Sequence, residues 1–388
     1  MKPHHYARIG KAFLTRKVPV YAHYGITHRC DLTCKMCGIW RYGNRKEEME
    51  LPEIGQMARL FNRLGVVQCS IGGGEPFARD DIEEVGKLFV DAGVNVRLLT
   101  NAVNVPRERL QKCLDYGVRN FSISLDSLYP ERFDYICEQE GSWTGAVKNM
   151  AWLGEQLHGT DGMPVINCVV SNLNLEELPD IVRFAKAIGF HVSFLPIELL
   201  ANAKDGVRNW EARFIRHRPE MGLVAGPQGS VADRIDRTYE TLIRMKKDGW
   251  PILSSTPYLE SSRTYLKTGR FPPDGCDAGR LYFSVSPNGQ MTICHRTSHN
   301  YVHILDPGFE EYFWSSEYER QRMMEAGNCE GCMRACWIDT SSMFRTLEGF
   351  FDTARLTLKR SKETPIGWDA AQKWARYDNT ATAEATAK

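Results

Sequence analysis

The 388-residue sequence contains no apolar stretch near the roughly 20 residues that a membrane span requires. It carries no surplus charge either: 49 lysines and arginines stand against 48 aspartates and glutamates, for a net charge of +1. That balance removes the electrostatic case for nucleic-acid binding, and no basic run suggests a docking arm. The N-terminus, MKPHHYARIGKAFLTRK, has basic residues but no apolar core or small-residue cleavage site, so no secretory signal is expected. The expected compartment is the cytoplasm. There the twelve cysteines stay reduced and read as metal ligands or core residues rather than disulfides.

Their placement divides them. Cys30, Cys34 and Cys37 cluster early, and Cys276, Cys294, Cys329, Cys332 and Cys336 group late. Cys69, Cys113, Cys137 and Cys168 are scattered through apolar segments and are expected in the core, where free cysteine is common.

From residue 18 to 197, short apolar runs alternate with amphipathic ones. The predicted strands are VPVYAHYGI, VVQCSI, VNVRLLT, VRNFSISL, PVINCVV and HVSFLPI. Between them, LPEIGQMARLFNRL sets Ile54, Met57, Ala58 and Phe61 on one helical face. LEELPDIVRFAKAIG does the same with Leu178, Ile181, Val182, Ala185 and Ile188, and Gly189 stands where a helix-ending glycine belongs. Repeats of this kind imply parallel strands, because each crossover helix returns the chain to the same edge. A closed eight-fold barrel takes about 250 residues, so the shorter run fits an α/β fold, an open (β/α)6 partial TIM barrel.

Residues 1–17 form an N-terminal extension, and residues 198–275 break the alternation as a helical linker region that includes DRIDRTYETLIRMKKDG. Residues 276–338 form a small cysteine-rich unit whose LYFSVSPNGQMTIC reads as a hairpin turning at Asn288-Gly289. Residues 339–388 supply a final helix, SSMFRTLEGFFDTARLTLKRSK, and a disordered tail, NTATAEATAK. The helix aligns Met343, Leu347, Phe350, Phe351, Ala354 and Leu358. It either docks on the body or, helped by Lys359, Arg360 and Lys362, meets a membrane surface.

The stretch HRCDLTCKMCGIW, residues 28–40, packs three cysteines into one loop with no fourth beside them. Three thiolates suit a cubane iron–sulfur cluster that leaves one iron open, and an open site lets a metal touch a substrate or cofactor. The competing reading is a zinc knuckle that takes a distant ligand. Position favours the cluster, since the loop follows the first strand, at the C-terminal mouth where catalytic groups of such barrels gather.

CDLTCKMC after the first strand and GGGEP after the second resemble the radical S-adenosylmethionine (SAM) superfamily over residues 18–197. The resemblance implies that Cys30, Cys34 and Cys37 hold a 4Fe–4S cluster whose open iron binds SAM. It implies reductive cleavage of SAM to a 5′-deoxyadenosyl radical that abstracts hydrogen from a substrate, with a reductant such as flavodoxin or ferredoxin. Met36, before the third cysteine, replaces an aromatic residue frequent in the family, so packing against the adenosyl group is expected to differ. Gly72, Gly73 and Gly74 are expected to let backbone approach a ligand, and Glu75 to offer its carboxylate to the SAM ammonium. Alone, such a segment is a turn with an exposed acid. The resemblance also places Thr100 and Asn101, Ser124 and Asp126, and Asn167 around the cofactor, against the alternative that they cap helices or tie loops.

The late cysteines, with the spacing Cys276-x12-Gly289-x4-Cys294 and then Cys329-x2-Cys332-x3-Cys336, resemble the SPASM and twitch extensions of the same superfamily. The resemblance implies one auxiliary iron–sulfur cluster that accepts an electron from the substrate radical or anchors the substrate, a 4Fe–4S group on Cys276, Cys294, Cys329 and Cys332, with Cys336 an alternative fourth ligand or a spare. A zinc ribbon is the competing reading. His295, His299 and His303 are spaced by four but sit in loop-like sequence and read as surface histidines, with His295 a candidate donor to the cluster. Glu198, Asp277 and His295 are unranked candidates for quenching a substrate radical.

Superfamily members with such extensions modify peptides, activate enzymes or oxidise sugar-like alcohols. Peptide modification is often served by an N-terminal leader-recognition domain, and 17 residues ahead of the first strand cannot hold one. The sequence therefore leans slightly to oxidation or rearrangement of a small molecule. A maturase of a ribosomal peptide or protein is the alternative, and a non-catalytic iron–sulfur or zinc scaffold the reading from another class.

Overall fold

β-Branched and aromatic residues, which fit a pleated and half-buried surface, build β1 (Tyr21–Thr27), β2 (Gln68–Gly73), β3 (Asn95–Thr100), β4 (Asn120–Ser124), β5 (Val165–Val170) and β6 (His191–Pro196). They fall where the six apolar runs predict. The computed structural model describes residues 3–43, 48–197, 229–271, 276–294, 302–329, 331–358 and 363–377. In space the strands follow the order β6-β5-β4-β3-β2-β1, and every neighbouring pair is parallel.

Helix α1 (Pro3–Thr15) precedes the sheet. The crossovers are α2 (Leu51–Leu64), α3 (Ile82–Asp91), α4 (Arg107–Asp115), α5 (Pro130–Cys137) with α6 (Ser142–Leu157), and α7 (Leu178–Ala187). The predicted faces are the buried ones: Ile54, Met57, Ala58 and Phe61 on α2, and Leu178, Ile181, Val182 and Ala185 on α7 with Ile188 just beyond it. Gly189 takes φ +76° after α7, a conformation that favours glycine. Cys69, Cys113, Cys137 and Cys168 are buried as expected.

After the barrel come α8 (Val231–Lys247), which covers all but the last two residues of the predicted linker helix, and α9 (Thr256–Thr268). The cysteine-rich hairpin does not stand apart from the barrel. Its first strand, β7 (Tyr282–Val285), pairs in parallel with β1 from Tyr21↔Tyr282 to Tyr24↔Val285. β8 (Gln290–Thr292) and β9 (Val302–His303) add on antiparallel, giving a nine-stranded sheet. The turn is longer than the two residues expected. Ser286 donates its N–H to Gln290 across it at 2.9 Å, and Gly289 closes it at φ +78°. His303 lies in β9 and its Nδ1 accepts the Leu305 N–H, whereas His295 and His299 fall outside the described residues.

α10 (Phe309–Phe313) and α11 (Ser316–Gly327) lead to α12 (Ala335–Arg345) and α13 (Leu347–Leu358). The single terminal helix expected from the apolar spacing is thus two. Thr346 is extended, at φ −122° and ψ 139°, and its Oγ1 accepts the Gly349 N–H at 3.0 Å, so it starts a new helix instead of continuing the old one. Phe350 packs against Phe13 of α1, while Leu347 and Phe351 stay exposed. The membrane-facing stripe is therefore not one face, and Lys359, Arg360 and Lys362 lie outside the described residues. Among the described residues no helix is long and apolar enough to cross a membrane. Beyond α14 (Trp368–Ala371), Trp374 meets Phe184 and Arg376 pairs with Asp180, so the chain returns to α7. The tail NTATAEATAK lies outside the described residues.

Candidate active site

The cysteine loop leaves β1 at Thr27 and is clamped from behind. Arg29 donates from Nε and Nη2 to Glu48, each at 3.0 Å, and from Nη1 to the Ala78 carbonyl. Glu48 also takes Arg79 at 3.1 Å, and Arg79 grips Asp81. The loop then turns tightly, with the Cys37 N–H on the Cys34 carbonyl at 3.0 Å and Trp40 Nε1 on the Cys37 carbonyl at 2.9 Å. Cys30, Cys34 and Cys37 are all half-buried at the C-terminal mouth of the barrel.

The glycines of GGGEP serve a purpose the sequence reading missed. A Cβ on Gly73 would lie 2.3 Å from the Thr27 carbonyl oxygen, and one on Gly74 would lie 2.0 Å from that of Arg29. The Gly74 and Glu75 N–H groups donate to those same two carbonyls. The close approach is therefore to the backbone of the cysteine loop, which two glycines permit.

Glu75 is not the exposed acid a lone turn would carry. It is buried, and its carboxylate accepts from Thr100 Oγ1 at 2.7 Å, from the Asn101 N–H at 2.8 Å and from the Phe77 N–H at 3.1 Å. Burial pushes it up to about 7 against those hydrogen bonds. Asn101 also donates to Asp31 at 2.8 Å, and Asn104 takes the other oxygen of Asp31 at 2.9 Å. Asp31 directly follows Cys30, so this pair of amides holds the loop against the end of β3. A carboxylate beside the first cysteine was the available signal.

Ser124 and Asn167 are register partners on β4 and β5, and both are half-buried. Asp126 is buried, accepts the Val169 N–H at 2.7 Å, and is pushed up to about 7 by burial. Met36 lies on an apolar patch with Ile136, Ile197, Val169 and Leu173.

A fourth thiol does approach the loop, contrary to the sequence reading. Cys137, at the end of α5, hydrogen-bonds to the Cys34 side chain, and that bond, followed by burial, pushes the Cys34 thiol well above its usual range. Burial pushes Cys30 up to about 12. These thiols become thiolates when a metal supplies positive charge, as in a thiolate-bound cluster. Three thiols on one loop match a cubane that keeps one iron without a protein ligand. The donor set fits a 4Fe–4S cluster with an open iron.

Of the late cysteines, Cys276 is half-buried, Cys294 and Cys332 are buried and Cys329 is exposed. Cys329 lies within electrostatic reach of Cys276, and Cys332 within reach of Tyr282. Cys276 Sγ touches Tyr282 Oη at 2.7 Å, a neighbour that cysteine spacing does not reveal. The Cys336 side chain and Glu198 are outside the described residues. Asp277 is buried and bound by Arg345 at 2.7 Å, which does not suit it to quench a substrate radical. Among the described residues, no three His, Cys, Asp or Glu side chains converge on a point that a single metal ion would occupy.

The profile of the radical SAM superfamily matches residues 24–185. Among curated proteins, the chain is 30% identical over 282 residues to a PqqA peptide cyclase of Bradyrhizobium diazoefficiens, covering 72% of this chain and 67% of that one. It is 25% identical over 299 residues to a GTP 3′,8-cyclase of Marinobacter nauticus, covering 72% of this chain and 80% of that one. Among solved structures, SuiB of Streptococcus suis bound to S-adenosylmethionine shares the fold, with a TM-score of 0.58 at 14% identity over 84% of this chain and 76% of that one. Native anSMEcpe with bound AdoMet and a Kp18Cys peptide superposes with a TM-score of 0.54 at 15% identity, over 79% of this chain and 83% of that one. Cysteine loop, glycine clamp, parallel half-barrel and sequence kinship agree: the chain is an enzyme of the radical SAM superfamily, using a 4Fe–4S cluster and S-adenosylmethionine.

Proposed function

We propose that this enzyme matures a peptide or protein, forming or oxidising a bond in a polypeptide substrate by radical SAM chemistry. The observation that carries this is the 30% identity with PqqA peptide cyclase across 72% of the chain. It outweighs the slight lean to a small molecule, which rested on the short N-terminal segment alone. The GTP 3′,8-cyclase relatives keep a small-molecule reading as the second possibility.

In this reading Cys30, Cys34 and Cys37 hold the first cluster. Glu75, Asn101, Ser124, Asp126 and Asn167 form the SAM side of the mouth, Gly73 and Gly74 clamp the cysteine loop beside it, and Met36 gives the adenosyl group an apolar neighbour. When bound, the cluster and SAM supply a 5′-deoxyadenosyl radical able to take a hydrogen atom from a C–H bond. The chain's own contribution is to hold three thiolates on one loop, through Arg29 and Asp31, and to support the SAM side through Glu75 and Thr100. Cys276, Cys294, Cys329 and Cys332, with Cys336 in reserve, hold an auxiliary cluster that accepts an electron from the substrate side. A flavodoxin or ferredoxin class reductant feeds the first.

The test is anaerobic incubation of iron-loaded enzyme with dithionite, SAM and a short peptide encoded beside its gene. The expected result is 5′-deoxyadenosine together with a peptide lighter by two hydrogen atoms. Production of 5′-deoxyadenosine that responds to a nucleotide or sugar, with every candidate peptide unchanged, would move the assignment to the small-molecule reading.

A further inference from the structure

Tyr282 opens β7 and is fully buried. Its phenol oxygen lies 2.7 Å from Cys276 Sγ and 3.0 Å from Ser341 Oγ. Ser341 Oγ in turn accepts the Asp277 backbone N–H at 3.1 Å. Two residues of α12 thus secure the segment after Cys276, since Arg345 grips the Asp277 carboxylate at 2.7 and 3.0 Å while Ser341 takes its N–H.

Counting protons gives this chain a direction. A cysteine sulfur bound to iron has lost its proton and only accepts. Tyr282 has one O–H, which must then point at Cys276, so its oxygen accepts from Ser341. The Ser341 hydroxyl is spent on Tyr282, so its oxygen accepts from Asp277. Every donor faces the same way, from the Asp277 N–H through Ser341 and Tyr282 to sulfur. Aligned hydrogen bonds of this kind polarise one another.

We infer that Tyr282 is a positioning residue for the auxiliary cluster: it delivers a one-way chain of hydrogen bonds to the Cys276 sulfur, fixing that ligand and raising the reduction potential of the cluster it holds. The inference rests on the reading that Cys276 ligates iron. A donor aimed at a ligating sulfur stabilises the negative charge that builds up on reduction, and hydrogen bonds to sulfur are among the factors that set cluster potentials. Burial of the phenol keeps water from competing. The effect suits a centre that receives an electron. Tyr282 is also in register with Tyr21, at the start of the strand whose far end launches the Cys30 loop. From Tyr21 to Thr27 at ~3.3 Å per residue the strand spans about 20 Å, so one element ties the two cysteine sites together.

The test is an EPR-monitored redox titration of the anaerobically reconstituted full chain, comparing wild type with Tyr282→Phe and Ser341→Ala. Wild type should hold about eight irons, two cubanes. Tyr282→Phe should keep that iron and move the auxiliary potential to more negative values, leaving the first cluster's potential unchanged. Ser341→Ala should move it the same way by less, and it carries the test by itself if Tyr282→Phe does not load. Eight irons with an unshifted auxiliary potential in the variants would overturn the hydrogen-bond chain alone. About four irons in wild type, or a full complement in Cys276→Ala, would overturn the ligand reading and the chain with it.

Discussion

The backbone N–H of Lys35 donates to the Ile136 carbonyl at 2.8 Å, joining the middle of the cysteine loop to the last turn of α5. The Lys35 ammonium reinforces the link through Glu138 at 2.9 Å. Flanking residues are brought together as a consequence: Cys34, one position before Lys35, meets Cys137, one position after Ile136. This contact sets a cysteine of the loop against a thiol from a different element.

If the three loop cysteines alone hold the first cluster and Cys137 only touches Cys34, Cys137→Ala should retain that cluster. The variant should show wild-type iron and sulfide with a stability loss of about 1 kcal/mol, whereas Cys34→Ala should lose roughly half the iron of a two-cluster protein. Equal iron loss in both variants would make Cys137 a ligand and close the open corner.

Gly74→Ala separates two roles for the glycine segment. Its Cβ would meet the Arg29 carbonyl oxygen at 2.0 Å, and neither partner is a flexible side chain. Chemical denaturation in the absence of SAM should show a loss of about 3 kcal/mol. A variant with unchanged stability that fails only to bind SAM would return the glycine to a ligand-facing role.

Asp126 makes stability depend on pH in a direction opposite to a salt-bridged acid. Its folded pKa is pushed up to about 7 by burial, from an ordinary value of 3.8. Between those values the unfolded chain has released this proton while the folded chain keeps it, so the folded state binds more protons and stability falls as pH rises. The contribution is fully present below pH ~4 and is lost as pH climbs through about 7, on the order of 4 kcal/mol at most. Asp126→Asn lacks this titration, so its stability relative to wild type should rise between pH 5 and pH 8, measured by urea unfolding. A difference that is the same at both pH values would show that Asp126 is ionised throughout.

The legible part of this protein is what a short window of sequence specifies. Ile54, Met57, Ala58 and Phe61 declare their shared face by spacing alone, and the six strands declare themselves by composition and by the turns between them. The Cys30 loop is legible because one segment supplies all three cysteines. What stayed hidden depends on distant partners. The pairing of Tyr282 with Tyr21 joins residues far apart in the chain, and no periodicity encodes it. Glu75 reads as a carboxylate aimed at SAM, and its partners Thr100 and Asn101 go unseen because they arrive from another strand. At Thr346 two local signals competed, and a helix-starting hydroxyl overrode a continuous apolar stripe.

Glu48 offers the sharpest test of how the cysteine loop is held. It is a single carboxylate shared by Arg29 and Arg79, and its side chain is 4% exposed against 26% and 6% for the two arginines. Burial alone would raise it, yet hydrogen bonds from Arg29 and Thr27 hold it below the usual carboxylate range. Removing the acid leaves Arg79 with Asp81 but strips Arg29 of its carboxylate partner, beside Cys30. Breaking such a buried arrangement by removing one partner costs about 3–5 kcal/mol, and the partial exposure of Arg29 places the expected loss near the lower end. Glu48→Ala should therefore unfold earlier and load less iron at the first site, while the auxiliary EPR signal stays at wild-type intensity. Arg29→Lys retains charge but not the two-pronged grip on Glu48, so it should reproduce the iron loss with a smaller change in stability. If it loads iron fully, charge alone holds the loop and the geometry of the guanidinium is irrelevant to it.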